Sequence, residues 1–329
     1  MKNILLIQTG GTIAMRAKDR GVELDPEAWS DRLYREIPEL NEIATVSTHP
    51  LFFEDSSDLH IEHWQQMARC IERHYSDYDG FVLLHGTDTM AYSASALSFA
   101  LKNLTKPVIF TGSQVPMSHV RTDALRNLIN AIQLATLHIP EVSICFNDAL
   151  YRGNRSTKLS VGDFDAFGSP NFPPLAEVGI DIEVTQSYSS ADTPLLVNDA
   201  FDPGIFVITV YPNMNTRILD CLDLTSIRGL IVRAYGSGNF PIKGAFDLRP
   251  FLKRCSDAEV LVTLVSQADY DAVDLNQYAA GKAALKLGAI SGADMTLEAA
   301  STKLMWLLGQ GLSLEELKAR FLDSTAGER

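Results

Sequence analysis

Cysteine is scarce in this chain, and apolar runs of membrane length are absent. The sequence holds four cysteines in 329 residues, Cys70, Cys145, Cys221 and Cys255, and no two of them form a C-x-x-C pair. That spacing disfavours zinc-ribbon and thiol-redox motifs and favours buried, reduced thiols. No apolar run approaches the ~18 residues of a membrane-spanning helix. The apolar stretch 4–7 is too short for a secretory signal. We therefore expect a cytoplasmic protein with no membrane partner.

Basic residues are few relative to acidic ones. Lysine and arginine number 28 against 41 aspartates and glutamates, which gives a formal net charge of −13. Such a charge repels nucleic-acid backbones, so nucleic acid is not an expected partner. The seven histidines form no HxH or HExxH pattern, so the sequence motifs predict no metal site. A small amino-acid substrate remains compatible with this charge, because it responds to the local field of its pocket.

The composition is that of a globular protein, with 46% hydrophobic and 21% charged residues. Short apolar runs alternate with helical periodicities, which predicts an α/β fold. Strands are predicted at 3–8, 43–48, 80–84, 107–111, 141–147, 205–211, 229–234 and 259–265. Helices are predicted at 58–75, 90–103, 121–137, 213–221, 244–254, 274–287, 296–308 and from about 314, where Ser313 and Glu316 form a capping-box pattern. A Ser-, Asp- and Pro-rich stretch, 184–203, predicts a linker between α/β domains 1–183 and 204–329.

The first motif that carries chemistry, Thr9-Gly10-Gly11-Thr12, follows the first predicted strand. In open α/β sheets the binding crevice lies beyond the carboxyl ends of the strands. Paired glycines there permit close backbone approach, and their N–H groups can stabilise an anion or a developing oxyanion. Thr12 would present its hydroxyl to the same crevice. The four residues fit an ordinary tight turn equally well, and the absence of G-x-G-x-x-G spacing disfavours a dinucleotide site.

The second motif, His85-Gly86-Thr87-Asp88, follows the predicted strand 80–84. Asp88 is suited to bind an ammonium group, and Thr87 to bind a carboxylate or orient a water. Asp and Thr are also favoured helix caps, so both residues fit a purely structural role at the start of the next helix. His85 is more typical of a packed histidine at a strand end than of a catalytic base.

Two further segments have both a structural and a functional interpretation. Asp55-Ser56-Ser57-Asp58 precedes a predicted helix, where Ser57 or Asp58 suits the N-cap. Alternatively, Ser56 and neighbouring N–H groups bind a substrate carboxylate. Lys158 is an ordinary surface lysine unless it folds back against Asp88. Beside a carboxylate and a hydroxyl, its amine could shuttle a proton or ease ionisation of the hydroxyl.

Taken together, these segments resemble the bacterial-type asparaginase/glutaminase family, in its type I, cytoplasmic branch. The resemblance also covers Thr111-Gly112-Ser113-Gln114, Arg152-Gly153-Asn154-Arg155-Ser156-Thr157-Lys158, Phe167-Gly168-Ser169-Pro170-Asn171, Tyr235-Gly236-Ser237-Gly238-Asn239 and Glu298-Ala299-Ala300-Ser301-Thr302-Lys303-Leu304. It implies a larger, flavodoxin-like N-terminal domain with a mostly parallel sheet and a smaller C-terminal α/β domain. The implied reaction is hydrolysis of L-asparagine to L-aspartate and ammonia through a threonine acyl-enzyme. The implied protein needs no cofactor and assembles as a homodimer or homotetramer.

The resemblance also implies the site residues. Thr12 matches the family's nucleophile, and Thr87, Asp88 and Lys158 match its second catalytic group. The substrate-binding positions are Gly11, Asp55, Ser56, Ser57, Gly86, Thr87, Asp88, Ser113 and, from the C-terminal domain toward a neighbouring subunit's site, Asn239.

One position departs from the family pattern. Type I relatives carry a tyrosine on the loop after the nucleophile, where this chain reads Gly21-Val22-Glu23, and the nearest tyrosine is Tyr34. Either another group such as Glu23 replaces the tyrosine, or the enzyme is slow, or its substrate differs. The alternatives are therefore a glutaminase or related amidase and a catalytically weak amino-acid-binding protein. The absence of a glycine fingerprint disfavours a nicotinamide oxidoreductase.

Overall fold

The computed structural model describes residues 1–11, 15–18, 21–24, 37–188 and 193–329. The chain forms two compact units, Met1–Asp199 and Ala200–Arg329. The boundaries predicted above, with a linker at 184–203, stay a prediction. Within the described residues, no helix is both long and apolar enough to cross a lipid bilayer.

The first unit contains most of the strands. They are β1 Asn3–Gly10, β2 Met15–Lys18, β3 Gly21–Leu24, β4 Thr45–Glu54, β5 Gly80–Leu84, β6 Leu101–Lys102, β7 Val108–Thr111, β8 Val142–Phe146, β9 Ala149–Arg152, β10 Thr157–Lys158, β11 Phe167–Gly168, β12 Ala176–Val178, β13 Ile182–Val184 and β14 Leu196–Val197. Its helices are α1 Leu40–Ile43, α2 Ile61–His74, α3 Met90–Ala100 and α4 Ala124–Ala135, with 3-10 turns at Ser56–Asp58 and Gly153–Arg155.

Eight of these strands form one sheet in the order β13-β12-β9-β8-β7-β5-β1-β4. The five strands β4, β1, β5, β7 and β8 run parallel, whereas β9, β12 and β13 extend the sheet antiparallel. Numbered along the chain, the parallel strands have the flavodoxin-like order 2-1-3-4-5. The strand order reverses at β1 and β5, and in such sheets ligands bind beyond the carboxyl ends of the strands at this point. The glycine motif and the His85–Asp88 motif follow these two strands.

Burial on both faces explains why the central strands can be recognised in the sequence as uninterrupted apolar runs. Every residue of β5 is buried, and β1 is buried from Ile4 onward, because helices cover both faces of a parallel sheet. Helix α2 buries the stripe Trp64, Met67, Ala68, Cys70 and Ile71. It begins three residues later than predicted, because Asp55 caps a separate 3-10 turn ahead of it.

The second unit is built on a four-stranded parallel sheet in the order β15-β16-β17-β18. Its strands are β15 Ile205–Thr209, β16 Gly229–Ala234, β17 Leu261–Ser266 and β18 Ile290–Ser291. Its helices are α5 Arg249–Asp257, α6 Ala279–Lys286, α7 Leu297–Gly309 and α8 Leu314–Leu322, with 3-10 turns at Thr216–Cys221, Leu224–Ser226 and Gly244–Phe246. The capping box of Ser313 and Glu316 forms as predicted. The predicted α/β class, with a larger, mostly parallel sheet followed by a smaller one, is confirmed.

Candidate active site

Two glycines at the end of β1 bring its backbone against the end of β5. Gly10 and Gly11 have φ values of +113° and +84°, in the region that favours glycine. A Cβ on Gly10 would lie 2.3 Å from the Glu54 carbonyl oxygen, and a Cβ on Gly11 would lie 2.5 Å from the Gly86 nitrogen. Only glycine fits either position, so the motif does more than form a turn: it places the chain before Thr12 on the Gly86 backbone. Thr12 itself lies outside the described residues.

His85 anchors the turn that follows β5. Its Nδ1 lies 2.7 Å from the Gly86 carbonyl oxygen, and its Nε2 lies 2.9 Å from Ser93 Oγ. Because a carbonyl only accepts, Nδ1 carries the proton and Nε2 accepts from the Ser93 hydroxyl, which in turn accepts from Trp64 Nε1 at 3.0 Å. Complete burial lowers the pKa of His85 to about 4, so the imidazole is neutral. His85 is therefore the packed histidine that the sequence predicted, and it orients the Gly86 peptide.

Three predicted residues meet beyond the end of β5. Lys158 Nζ donates to Thr87 Oγ1 at 2.8 Å and to Asp88 Oδ1 at 2.7 Å. The Lys158 side chain is 16% exposed and that of Asp88 is 67% exposed. Lys158 reaches this point from β10, where it pairs antiparallel with Phe167 of β11. The structure thus brings together a hydroxyl, an amine and a carboxylate, which we call the Thr87–Lys158–Asp88 trio.

The start of α3 distinguishes between the two roles that the sequence allows for Asp88, a ligand of the substrate and a helix cap. The N-cap of α3 is Thr89, which makes no side-chain bond to the helix. Thr89 Oγ1 instead donates to the Ser56 carbonyl oxygen at 2.7 Å. Asp88 is therefore not the N-cap, and its carboxylate pairs with Lys158.

Gln114 positions the hydroxyl of Thr87, a role that the sequence did not suggest. Thr87 Oγ1 donates to Gln114 Oε1 at 3.3 Å, which directs its lone pairs toward Lys158. Gln114 Nε2 is held by the carbonyl oxygens of Ser160 and Asp163, at 3.3 and 3.1 Å. The only sequence signal was its place beside Ser113 in the motif 111–114.

Asp123 fixes the turn that carries Gln114. Its carboxylate accepts from the backbone nitrogens of Gln114 and Val115 at 3.0 to 3.1 Å, and from Asn127 Nδ2 at 3.0 Å. This is a second group that the sequence analysis missed. Four separate segments, 87–88, 114–115, 123–127 and 158–163, are thereby linked around the trio.

Two buried serines lie beyond the carboxyl ends of two parallel strands, β4 and β7. Ser113 follows β7 and is 1% exposed, and its hydroxyl has no hydrogen-bond partner among the described residues. An unpaired buried hydroxyl costs about 1–3 kcal/mol, which a polar substrate group would recover. Ser56 is also buried, and a Cβ on Gly86 would lie 2.6 Å from its Oγ. Both serines therefore lie next to segments that lead to the trio.

Asp55 and Ser57 form a local structure. Asp55 Oδ1 accepts from the nitrogen and the hydroxyl of Ser57 at 2.9 and 2.7 Å. These bonds hold the pKa of Asp55 below its usual range. Asp55 thus caps the 3-10 turn, and the N-cap of α2 is His60 rather than the predicted Ser57 or Asp58. The binding roles of Asp55 and Ser57 stay predictions.

Three other predicted positions lie apart from these contacts. Asn239 belongs to the second unit, where its nitrogen donates to the Tyr235 carbonyl oxygen at 2.8 Å, and its contact with substrate stays a prediction. Val22 and Glu23 lie on β3, which pairs with β2 in a hairpin. Tyr34 lies outside the described residues.

Known proteins match this chain over almost its whole length. Residues 3–190 match the family described as "Asparaginase, N-terminal", and residues 204–321 match "Glutaminase/Asparaginase C-terminal domain". The chain is 42% identical to "L-asparaginase 1" of Escherichia coli (strain K12), across 99% of this chain and 98% of that protein.

Solved structures show the same likeness. The crystal structure of L-asparaginase I from Vibrio cholerae O1 biovar eltor str. N16961 matches with a TM-score of 0.89 and 40% identity, over 99% of this chain and 98% of that one. The thermostable L-asparaginase from Thermococcus kodakarensis matches with a TM-score of 0.90 and 33% identity, over 99% and 98% of the two chains. With both family regions matched in order and the relatives aligned end to end, this chain belongs to the asparaginase family.

Proposed function

We propose that this protein hydrolyses L-asparagine to L-aspartate and ammonia, with Thr12 as the nucleophile and the Thr87–Lys158–Asp88 trio as the second catalytic group. The observation that carries the proposal is the pair of Lys158 contacts, 2.8 Å to Thr87 and 2.7 Å to Asp88. They occur at the strand-order reversal where Gly11, the residue before Thr12, packs on Gly86. Membership of the asparaginase family supports the same reaction.

Substrate orientation comes first, because an amide is a poor electrophile and must be held close to its nucleophile. The largely exposed carboxylate of Asp88 binds the α-ammonium group of the substrate. The hydroxyls of Ser56 and Ser113 bind its α-carboxylate, which gives the unpaired Ser113 hydroxyl a partner. The side-chain amide is then directed toward Thr12.

The reaction proceeds in two halves. Thr12 Oγ attacks the carbon of the side-chain amide, the C–N bond breaks, and the protonated nitrogen leaves as ammonia. Backbone N–H groups of the Gly10–Gly11 turn stabilise the oxyanion, a contribution of about 3 kcal/mol for each donor. A water molecule then attacks the resulting ester and releases L-aspartate with the Thr12 hydroxyl restored.

Lys158 assists the proton transfers. Its Nζ lies 2.8 Å from Thr87 Oγ1. In its deprotonated form the Lys158 amine takes the Thr87 proton while Thr87 Oγ1 takes a proton from the attacking water, and Lys158 returns a proton to Thr12 Oγ by way of Thr87 as the ester bond breaks. Gln114 Oε1 accepts from the Thr87 hydroxyl before the transfer and so holds Thr87 beside Lys158.

An ammonia-release assay with L-asparagine, D-asparagine and L-glutamine tests the proposal. We expect L-asparagine to be the best substrate. Thr12→Ala should abolish turnover while retaining L-asparagine binding by calorimetry, and Lys158→Met should also lose turnover. Lys243→Met, at an exposed lysine of the second unit, serves as the matched control and should be fully active.

Each contrary result identifies what is wrong. Normal turnover by Thr12→Ala would refute the nucleophile assignment, and an active Lys158→Met would make Lys158 structural only. Faster release from L-glutamine would replace the substrate assignment by a related amidase. L-asparagine binding without ammonia release from the wild-type protein would replace the enzyme by an amino-acid-binding protein.

We further propose that the protein is a cytoplasmic homodimer or homotetramer in which Asn239 reaches a neighbouring subunit's site. Its four cysteines are free, which suits a reducing compartment. Light scattering at assay concentration tests the assembly, and a monomer with full activity would contradict it. Cell fractionation tests the location, and recovery outside the cytoplasm would contradict that.

A further inference from the structure

The first unit carries a second cluster of reactive side chains, outside the residues assigned to hydrolysis. One ring nitrogen each of His49 and His74, together with Cys70 Sγ, lie within 4.8 Å of one another. Cys70 and His74 are four residues apart on α2 and therefore share one face of that helix. His49 lies on β4, the edge strand of the large sheet, against which α2 packs.

The three donor atoms are available to a ligand. In the part of the chain that the structure describes, no hydrogen bond or ion pair involves the ring nitrogens of His49 or His74, and Cys70 is a free thiol. The two imidazoles meet with centroids 5.2 Å apart and planes tilted by 59°. They are half-buried, whereas Cys70 is 2% exposed. The two imidazoles are thus partly open to solvent, whereas Cys70 is almost completely covered.

We propose that His49, Cys70 and His74 bind one transition-metal cation, Zn²⁺ before others, with water as the fourth ligand. Two imidazoles and one thiolate are a donor set that borderline cations select, whereas Mg²⁺ and Ca²⁺ require oxygen ligands. When the sulfur–zinc bond forms, the Cys70 thiol gives its proton to solvent.

The geometry requires only a small adjustment. Zinc bonds of about 2.1 Å to nitrogen and about 2.3 Å to sulfur place tetrahedral ligand atoms roughly 3.5 Å apart. The three atoms lie within 4.8 Å of one another, so closure requires movements of about 1 Å. Rotation of two half-buried imidazole rings supplies that movement without displacing β4 or α2.

The site has a defined place in the fold. His49 precedes the segment 55–60, and Cys70 and His74 follow it on α2. A cation would therefore join the edge strand to the helix on either side of the segment that carries Ser56. Sequence motifs predict no metal site here, because neither HxH nor HExxH describes a Cys-x-x-x-His pair completed by a histidine from a strand.

Metal titration of the full-length protein tests the site independently of activity. Metal-free protein competes with a chromophoric chelator for Zn²⁺, and Co²⁺ serves as a spectroscopic probe. We expect one Zn²⁺ per chain and a thiolate-to-cobalt charge-transfer band. Cys70→Ser and His74→Gln should each weaken Zn²⁺ binding by more than about tenfold, since loss of even an outer-shell partner costs that much. The cobalt band should disappear in Cys70→Ser.

Two matched controls separate this site from general effects of thiol or histidine loss. Cys255→Ser removes another buried, free thiol, and His138→Gln removes an exposed histidine. Both should bind Zn²⁺ as the wild type does. If Cys70→Ser fails to fold, His74→Gln still decides, because its side chain is half-buried at the end of α2. Wild-type binding no tighter than that of His74→Gln, or a cobalt complex without the thiolate band, would overturn the proposal.

Discussion

Replacing His85 by asparagine should make the stability of this protein less sensitive to acid. Burial lowers the pKa of the folded-state imidazole to about 4, whereas an exposed histidine titrates near 6.5. Between these values the unfolded chain binds a proton that the folded chain excludes. The stabilisation is therefore complete above about pH 6.5 and is lost as the pH falls toward about 4.

The pKa difference sets the size of the effect. Each pKa unit corresponds to about 1.4 kcal/mol, so a shift of about 2.5 units costs the folded state roughly 3 kcal/mol when the pH falls below both values. At about pH 5 the loss is about 2 kcal/mol. Solvent does not screen this effect, because the His85 side chain is fully buried.

Asparagine is the informative replacement because its Nδ2 can donate to the Gly86 carbonyl oxygen in place of the imidazole Nδ1. His85→Asn loses the bond with Ser93 and should be less stable than the wild type at neutral pH by about 1–3 kcal/mol. It should, however, lose about 2 kcal/mol less than the wild type between about pH 7.5 and about pH 5. His138→Asn, at an exposed histidine, should follow the wild-type pH dependence.

Urea unfolding at the two pH values, monitored by circular dichroism and tryptophan fluorescence, measures the difference. NMR titration of the His85 ring proton measures the pKa directly. Equal losses of unfolding free energy in the wild type and His85→Asn, or a His85 ring proton that titrates near pH 6.5, would refute the reasoning.

Three further predictions concern packing and buried charge. Gly11→Ala should lower both thermal stability and ammonia release, because the new Cβ would lie 2.5 Å from the Gly86 nitrogen. Gly311→Ala is the control: Gly311 has φ +67° and no atom within 4 Å of the new Cβ, so this variant measures the cost of backbone strain alone. Glu328→Gln should lower the free energy of unfolding by about 3–5 kcal/mol, because it leaves the fully buried Lys303 unpaired. Lys303 holds the pKa of Glu328 below its usual range, so the wild type loses stability when Glu328 takes up a proton below about pH 4. Glu328→Gln has no such proton to take up and should lose less stability over the same pH range. Asp123→Ala should cost about 1–3 kcal/mol by urea unfolding and slow turnover, since two backbone N–H groups lose their acceptor.

The buried parallel strands were predictable from the sequence because burial on both faces leaves an uninterrupted apolar run. The predicted strands 80–84 and 229–234 coincide with β5 and β16. The antiparallel extension of the sheet was not predicted. β8 ends at Phe146 and β9 begins at Ala149, and Asn147 between them has φ +54°. The Asn147-Asp148 pair therefore forms the turn of a hairpin, whereas the predicted single strand, 141–147, included Asn147.

Short elements held by tertiary contacts were beyond local sequence patterns. The two-residue strand β10 carries Lys158, yet no periodicity can identify a strand of that length. Lys158 and Asp88 are 70 residues apart in the chain, so their 2.7 Å contact depends on the whole sheet. The resemblance of motifs identified the residues of the trio. No sequence pattern indicates that Gln114 and Asp123 orient the trio, because that role depends on contacts with distant segments.

The beginning of α3 decides between the two interpretations that the sequence left open for Asp88. A capping aspartate directs its oxygens at the free N–H groups of the first helical turn and has little left for a ligand. Here the N-cap is the next residue, Thr89, the helix begins at Met90, and Thr89 Oγ1 donates to the Ser56 carbonyl oxygen instead. Asp88 thus lies just outside the helix, two-thirds exposed, with one oxygen on Lys158. That position leaves the other oxygen of a charged group available for the ammonium of a bound amino acid, while the first keeps Lys158 beside Thr87.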